Sequence, residues 1–98
     1  MMRPVKRVEI VIDSVELPRV LRLVEACGVS GYTVFGGVTG KGERGERAGD
    51  DLTDVFRNSY VLTACPEEQL SALVEAVRPV LKRYGGVCLV SDAEWIVH

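Results

Sequence analysis

The sequence is poor in the residues from which most catalytic sites are built. Its single histidine, His98, is the last residue, so no imidazole lies within the body of the chain to serve a Ser or Cys nucleophile. The three cysteines, Cys27, Cys65 and Cys88, are scattered, odd in number and each set in an apolar run. No metal-type spacing connects them, and they read as reduced core thiols of a cytoplasmic protein. Aromatics make up only 6% of the chain, and Tyr60, Tyr84 and Trp95 stand singly. That is too few on the strands for an RNA-stacking sheet. Positive charge is not in excess: the formal net charge is −2, which leaves no basic field to gather nucleic acid or an anionic membrane. No apolar run approaches the length of a membrane span. The opening "MMRPVKRVEI" carries charge but lacks the apolar stretch of a signal peptide. At 98 residues the chain reads as one domain, 1–98, with a modest core.

What is present is a clear alternation of strand and helix periods. "KRVEIVID" alternates, placing Val8, Ile10 and Ile12 on one face and Val11 on the other. "SVELPRVLRLVEACG" has helical spacing through Leu17, Val20, Leu21 and Val24, with Ser14 as cap, Pro18 in the first turn and Gly28 at the stop. "GYTVFGGVTG" begins as a strand and dissolves into glycine, and "VFRNSYVLTAC" forms the next strand. The second helix is "PEEQLSALVEAVRPVLKRYGG". Its stripe is Leu70, Leu73, Val74, Val77 and Leu81, its last turn holds Lys82 and Arg83, Gly85 stops it, and Pro79 is expected to kink or shorten it. "GVCLVSD" is a fourth strand, followed by a short extended "EWIVH". The order β-α-β-β-α-β specifies an α+β, ferredoxin-like sandwich with both helices on one sheet face. Apolar residues on both sides of the strands, as at Val61 between Tyr60 and Leu62, imply that the other face is buried in a homo-oligomer.

The segment "GGVTGKGERGERAGDD", residues 36–51, is far longer than a hairpin needs and is built from glycine and charge. Gly40-Lys41-Gly42-Glu43-Arg44-Gly45 fits G-x-G-x-x-G by letter, but no helix follows, as a dinucleotide fingerprint requires. A P-loop is excluded by its spacing and by Gly42 where Ser or Thr would hold Mg²⁺. What survives is an anion nest of backbone N–H groups beside Lys41, Arg44 and Arg47, set against a merely solvated, flexible loop. The loop's length favours a binding role. Asp50, Asp51 and Asp54 read as a solvated acidic loop end rather than a metal site.

At "GVSGYTVFGG" followed by "GKGERGER", with "YVLTACPEE" after them and "YGGVCLVSDAEWIVH" at the end, the chain resembles the PII-like signalling proteins over nearly its whole length. The resemblance is in particular to the group associated with bicarbonate uptake and carboxysomes. It implies a homotrimer with the sheets packed centrally and adenine nucleotides in clefts between subunits. It also implies a long T-loop, about residues 36–54, that rearranges with ligand and docks on a protein target such as a transporter or carboxysome component. Carried over by position, the resemblance assigns nucleotide binding to Thr33, to Gly40, Lys41 and Gly42 at the loop base, and to Arg44 and Arg47. It adds Gly85, Gly86 and Val87 beside the last strand, His98 reaching a neighbouring subunit's site, and Val11 and Leu62 lining the adenine. No metal site and no catalytic residue are implied.

The segment also departs from the nitrogen-sensing members. No Tyr lies between Gly36 and Asn58, "GKGERGER" has no Gln, and Val87 and Cys88 replace a Lys after the glycines. The expectation is therefore a non-enzymatic sensor of ADP and AMP at least as much as ATP, with bicarbonate as a further ligand and no 2-oxoglutarate sensing. Its rivals are a small ferredoxin-like enzyme working at an intersubunit cleft and a pure protein-interaction module.

Overall fold

The computed structural model describes residues 1–40 and 57–98. The chain runs β1 (Met2–Asp13), a 3-10 turn (Ser14–Glu16), α1 (Leu17–Ala26), β2 (Tyr32–Val38), β3 (Asn58–Cys65), α2 (Glu67–Tyr84) and β4 (Val87–Ile96). The four strands form one antiparallel sheet in the order β2-β3-β1-β4, the ferredoxin-like arrangement expected from the element order.

The alternation in β1 does what its period dictates. Val8, Ile10 and Ile12 turn to the helix side and are buried with Val61 and Cys65 of β3, Val20 and Val24 of α1, and Leu73, Val77 and Val80 of α2. Each such side chain is worth about 1.5–3 kcal/mol of apolar burial, so this single layer carries most of the driving force for folding. Two buried hydroxyls are satisfied within it. Thr63 donates to the carbonyl of Gly31 at 2.6 Å, and Ser59 shares a 2.7 Å hydrogen bond with Ser14.

Several boundaries differ from the sequence expectation. The first helix begins at Leu17 with Glu16 at its N-cap and no side-chain capping bond, while Asp13 caps the preceding 3-10 turn, its carboxylate accepting from the N–H of Val15 at 2.9 Å. Ser14, the expected cap, is drawn away instead. Its N–H donates to the carbonyl of Arg57 at 2.6 Å and its hydroxyl meets Ser59, so it clasps the turn to the start of β3. Pro79 does not shorten α2, which continues to Tyr84. Pro79 sits on the exposed side, where water can satisfy the carbonyl that loses its partner. The final extended piece is no separate element either. β1 offers partners as far as Met2, paired with Ile96, so β4 continues unbroken. Of the three thiols, all free, only Cys65 is fully buried, and burial raises its pKa. Cys27 and Cys88 are half-buried.

Candidate ligand-binding site

Antiparallel pairing brings four chain segments to one end of the sheet. They are the end of β1, the end of β2, the start of β3 and the start of β4. The segment between β2 and β3 leaves and returns here. Gly36 and Gly37 mark its departure. The register of β2 on β3 shifts between Phe35 and Val38, and Gly37 takes φ +67°, a bulge that bends the strand out of the ladder.

The turn from α2 into β4 closes over the same end. Gly85 (φ +84°) stops α2, with its N–H on the carbonyl of Leu81 at 2.8 Å. Gly86 (φ +115°) then passes so near β1 that an added Cβ would lie 2.5 Å from the carbonyl oxygen of Val11 and 3.1 Å from both Ile12 and Leu81. No other residue type fits that passage without displacing backbone. Lys82 and Arg83 occupy the last turn of α2 just before it, and Arg83 stacks on Tyr84 with 5.4 Å from guanidinium carbon to ring centroid.

The face of the sheet turned away from the helices carries two adjacent rows at this end. One runs Phe35, Tyr60, Val11, Val87 and the next Thr33, Leu62, Glu9, Leu89, each set being cross-strand partners. Thus Val11, Thr33, Leu62 and Val87 share one face, with Gly85 and Gly86 pressed against the end of β1. Gly40 is the last described residue after β2, with no atom of the described residues beyond its chain neighbours within 4 Å of the place a Cβ would take. Lys41, Gly42, Arg44 and Arg47, and the acids Asp50, Asp51 and Asp54, fall outside the described residues. His98 does not join the cluster. It follows Val97, whose N–H pairs with the carbonyl of Met1 at the far end of β4, about 30 Å of strand away from Val87. Within one chain His98 cannot reach the glycine turn.

Sequence reasoning missed the neighbours of these residues. The Tyr60 hydroxyl donates to Glu9 Oε2 at 2.8 Å, and the Phe35 and Tyr60 rings meet at 5.7 Å. Alternation in "EIVID" and "SYVLT" held that signal, but strand pairing was needed to align them. The bond to Glu9 is the main cause that raises the Tyr60 pKa above that of an ordinary phenol, with burial and the Glu9 charge adding to it. A concavity of about 260 Å³ lies at the opposite end of the sheet, lined by Arg3, Gly28, Ser30, Ala64, Pro66 and Gln69 among others. It contains none of the candidate residues and no acid–base pair, so it is not taken as the site. Among the described residues no group of His, Cys, Asp and Glu could hold a metal ion, and no helix is long and apolar enough to cross a membrane.

The glycine turn and the points where the glycine-rich segment leaves β2 and enters β3 thus share one sheet end. Residues 5–97 match the family described as Nitrogen regulatory protein P-II, and the chain belongs to that family. Comparison with the curated proteins finds no match. Among solved structures, CPII from Thiomonas intermedia K12, a nitrogen regulatory PII-like protein bound to ADP, AMP and bicarbonate, is similar with TM-score 0.83 and 27% identity. The alignment covers 96% of this chain and 90% of that one. CPII from the same organism bound to ADP and bicarbonate aligns with TM-score 0.82 and 31% identity, over 96% of this chain and 90% of that one. A putative PII-like signalling protein from Thermus thermophilus shares the fold, with TM-score 0.78 and 24% identity over 97% and 92% of the two chains.

Proposed function

We propose that this chain is a non-enzymatic adenine-nucleotide sensor of inorganic-carbon metabolism that works as a homotrimer in the cytoplasm. The observation that carries the reading is a shared fold joined to a shared ligand chemistry. A relative with 31% identity over 96% of this chain is bound to ADP and bicarbonate. In this chain the candidate residues Val11, Gly85, Gly86 and Val87 gather at the sheet end from which the glycine-rich segment departs, and Thr33 and Leu62 lie one row further in on the same face as Val11.

In the proposed mechanism the apolar side chains of Val11 and Leu62 flank the adenine. At the Gly85–Gly86 turn no side chain holds a phosphate off the backbone, and the N–H that meets it is that of Gly86, since that of Gly85 is bonded to the Leu81 carbonyl. Gly40 and Gly42 give the loop base the same freedom, and Lys41, Arg44 and Arg47 supply charge-assisted contacts worth about 1.5–3 kcal/mol each. His98, remote from the turn of its own chain, serves a neighbour's cleft. Nucleotide and bicarbonate select among conformations of the segment between β2 and β3, and the selected conformation docks on a protein target.

Calorimetric titration with ADP, AMP and ATP, with and without bicarbonate, tests this. Saturable binding of one nucleotide per subunit is expected, with an affinity that changes with bicarbonate. Absence of heat and of thermal stabilisation with all three nucleotides would refute the sensor reading.

A further inference from the structure

The sheet face turned from the helices is not uniformly apolar. A polar chain of two hydrogen bonds joined by an ion pair crosses it through three strands. Ser91 of β4 accepts from Arg7 Nε of β1 at 3.0 Å, Arg7 Nε lies 3.3 Å from Glu9 Oε1, and Glu9 Oε2 accepts from Tyr60 of β3 at 2.8 Å. Phe35 of β2 extends the line to the opposite edge through its ring contact with Tyr60. Large apolar side chains flank the chain and stand exposed: Phe35 at 55%, Val87 at 44% and Leu89 at 59%.

We propose that the Arg7–Glu9–Tyr60 chain is the register-setting element of an interface between copies of this protein. This rests on the oligomer reading above and adds to it the residues that choose the partner and its alignment. The charge pattern favours a second copy over an unrelated partner. The patch presents one guanidinium and one carboxylate two residues apart on the same strand. One copy's guanidinium can therefore meet the next copy's carboxylate around a ring, while the zero net charge of the pair offers an acidic or basic partner no net attraction. Arg7 makes both of its contacts through Nε and its side chain is half exposed, so the terminal nitrogens of its fork are available to a carboxylate from another chain. Glu9 accepts one hydrogen bond, on Oε2 from Tyr60, and its Oε1, in ion-pair contact with Arg7 Nε, retains lone pairs for that fork. Apolar flanks alone would tolerate sliding along the sheet. A two-residue slip would strand Arg7 and Glu9 against aliphatic carbon, at the cost of burying unpaired charge.

The test measures assembly by sedimentation equilibrium for the full chain and for Arg7→Glu, Glu9→Arg and Tyr60→Phe, with far-UV circular dichroism checking that each variant is folded. The two charge reversals should each weaken assembly about tenfold or more, and Tyr60→Phe several-fold. An equimolar mixture of the two charge-reversal chains should form mixed oligomers by native mass spectrometry, because each supplies the charge the other lacks. A wild-type oligomer with all three variants assembling within twofold of it would overturn the register role and leave the oligomer reading standing. So would failure of the two weakened charge-reversal chains to form mixed oligomers. A wild-type chain that remains monomeric at about 100 µM would overturn both. Tyr60→Phe keeps the ring against Phe35 and removes one oxygen, so it remains informative if a charge reversal does not fold.

Discussion

Replacing Gly86 by Ala should damage this protein more than any other single methyl-sized change at the candidate site. Two independent penalties apply. The backbone there sits at φ +115°, a conformation that costs a residue with a Cβ about 1–3 kcal/mol. The new methyl would also lie 2.5 Å from the Val11 carbonyl oxygen, and regaining ordinary contact requires a retreat of about 1 Å by backbone that is tied into the sheet. Overpacking of that kind costs about 1–3 kcal/mol. Together the loss is about 2–6 kcal/mol against a total stability of about 5–15 kcal/mol, which at about 4–8 °C per kcal/mol corresponds to roughly 8–48 °C in Tm for a domain of this size. Urea and thermal unfolding at fixed protomer concentration measure it, because assembly makes stability concentration-dependent. Gly36→Ala is the matched control. It has open space around it and no positive φ, and its change should stay within about 0.5 kcal/mol. If Gly86→Ala unfolds within about 0.5 kcal/mol of the parent and binds ADP with the parent's affinity, the argument that this turn requires glycine is wrong.

Two further outcomes follow from the same geometry. Thr63→Val keeps the shape of the side chain but leaves the Gly31 carbonyl without its 2.6 Å donor; a loss of about 1–3 kcal/mol is expected in urea unfolding, together with weaker ADP binding, since this bond anchors the loop that leads into Thr33. The Tyr60 phenol, held protonated chiefly by its bond to Glu9, contributes stability in full below the ordinary phenol range and loses it as pH rises through Tyr60's own higher value; ultraviolet titration should show Glu9→Gln shifting this ionisation downward, and an unchanged titration would refute the assigned cause.

How much was legible beforehand varies with the range of the interactions concerned. Val8, Ile10 and Ile12 announced the buried face of β1, and Val20, Val24, Leu73 and Val77 announced those of the helices, because period and solvent exposure are coupled within each element. The element order was enough to name the fold, and Gly28 and Gly85 marked both helix ends, each with positive φ. The errors came where a distant partner outbid a local one. Ser14 was a credible cap until Ser59 and Arg57 claimed it. β4 looked like two pieces until the N-terminal half of β1 paired along its second half.

The candidate site divides in the same way. Composition and spacing alone specified that a glycine-rich, basic segment joins two strands, and that glycines end the second helix, since these depend on which residue types stand where along the chain. The sequence could not decide that Val11 stands opposite Val87, that Thr33 stands opposite Leu62, or that Gly86 presses on the Val11 carbonyl. It also could not decide that Tyr60, Glu9, Arg7 and Ser91 link into one line across the sheet. Those relations depend on strand register between segments far apart in the chain. Register is set only when the whole hydrophobic face is buried at once, because a slip of one residue would turn every side chain to the wrong side.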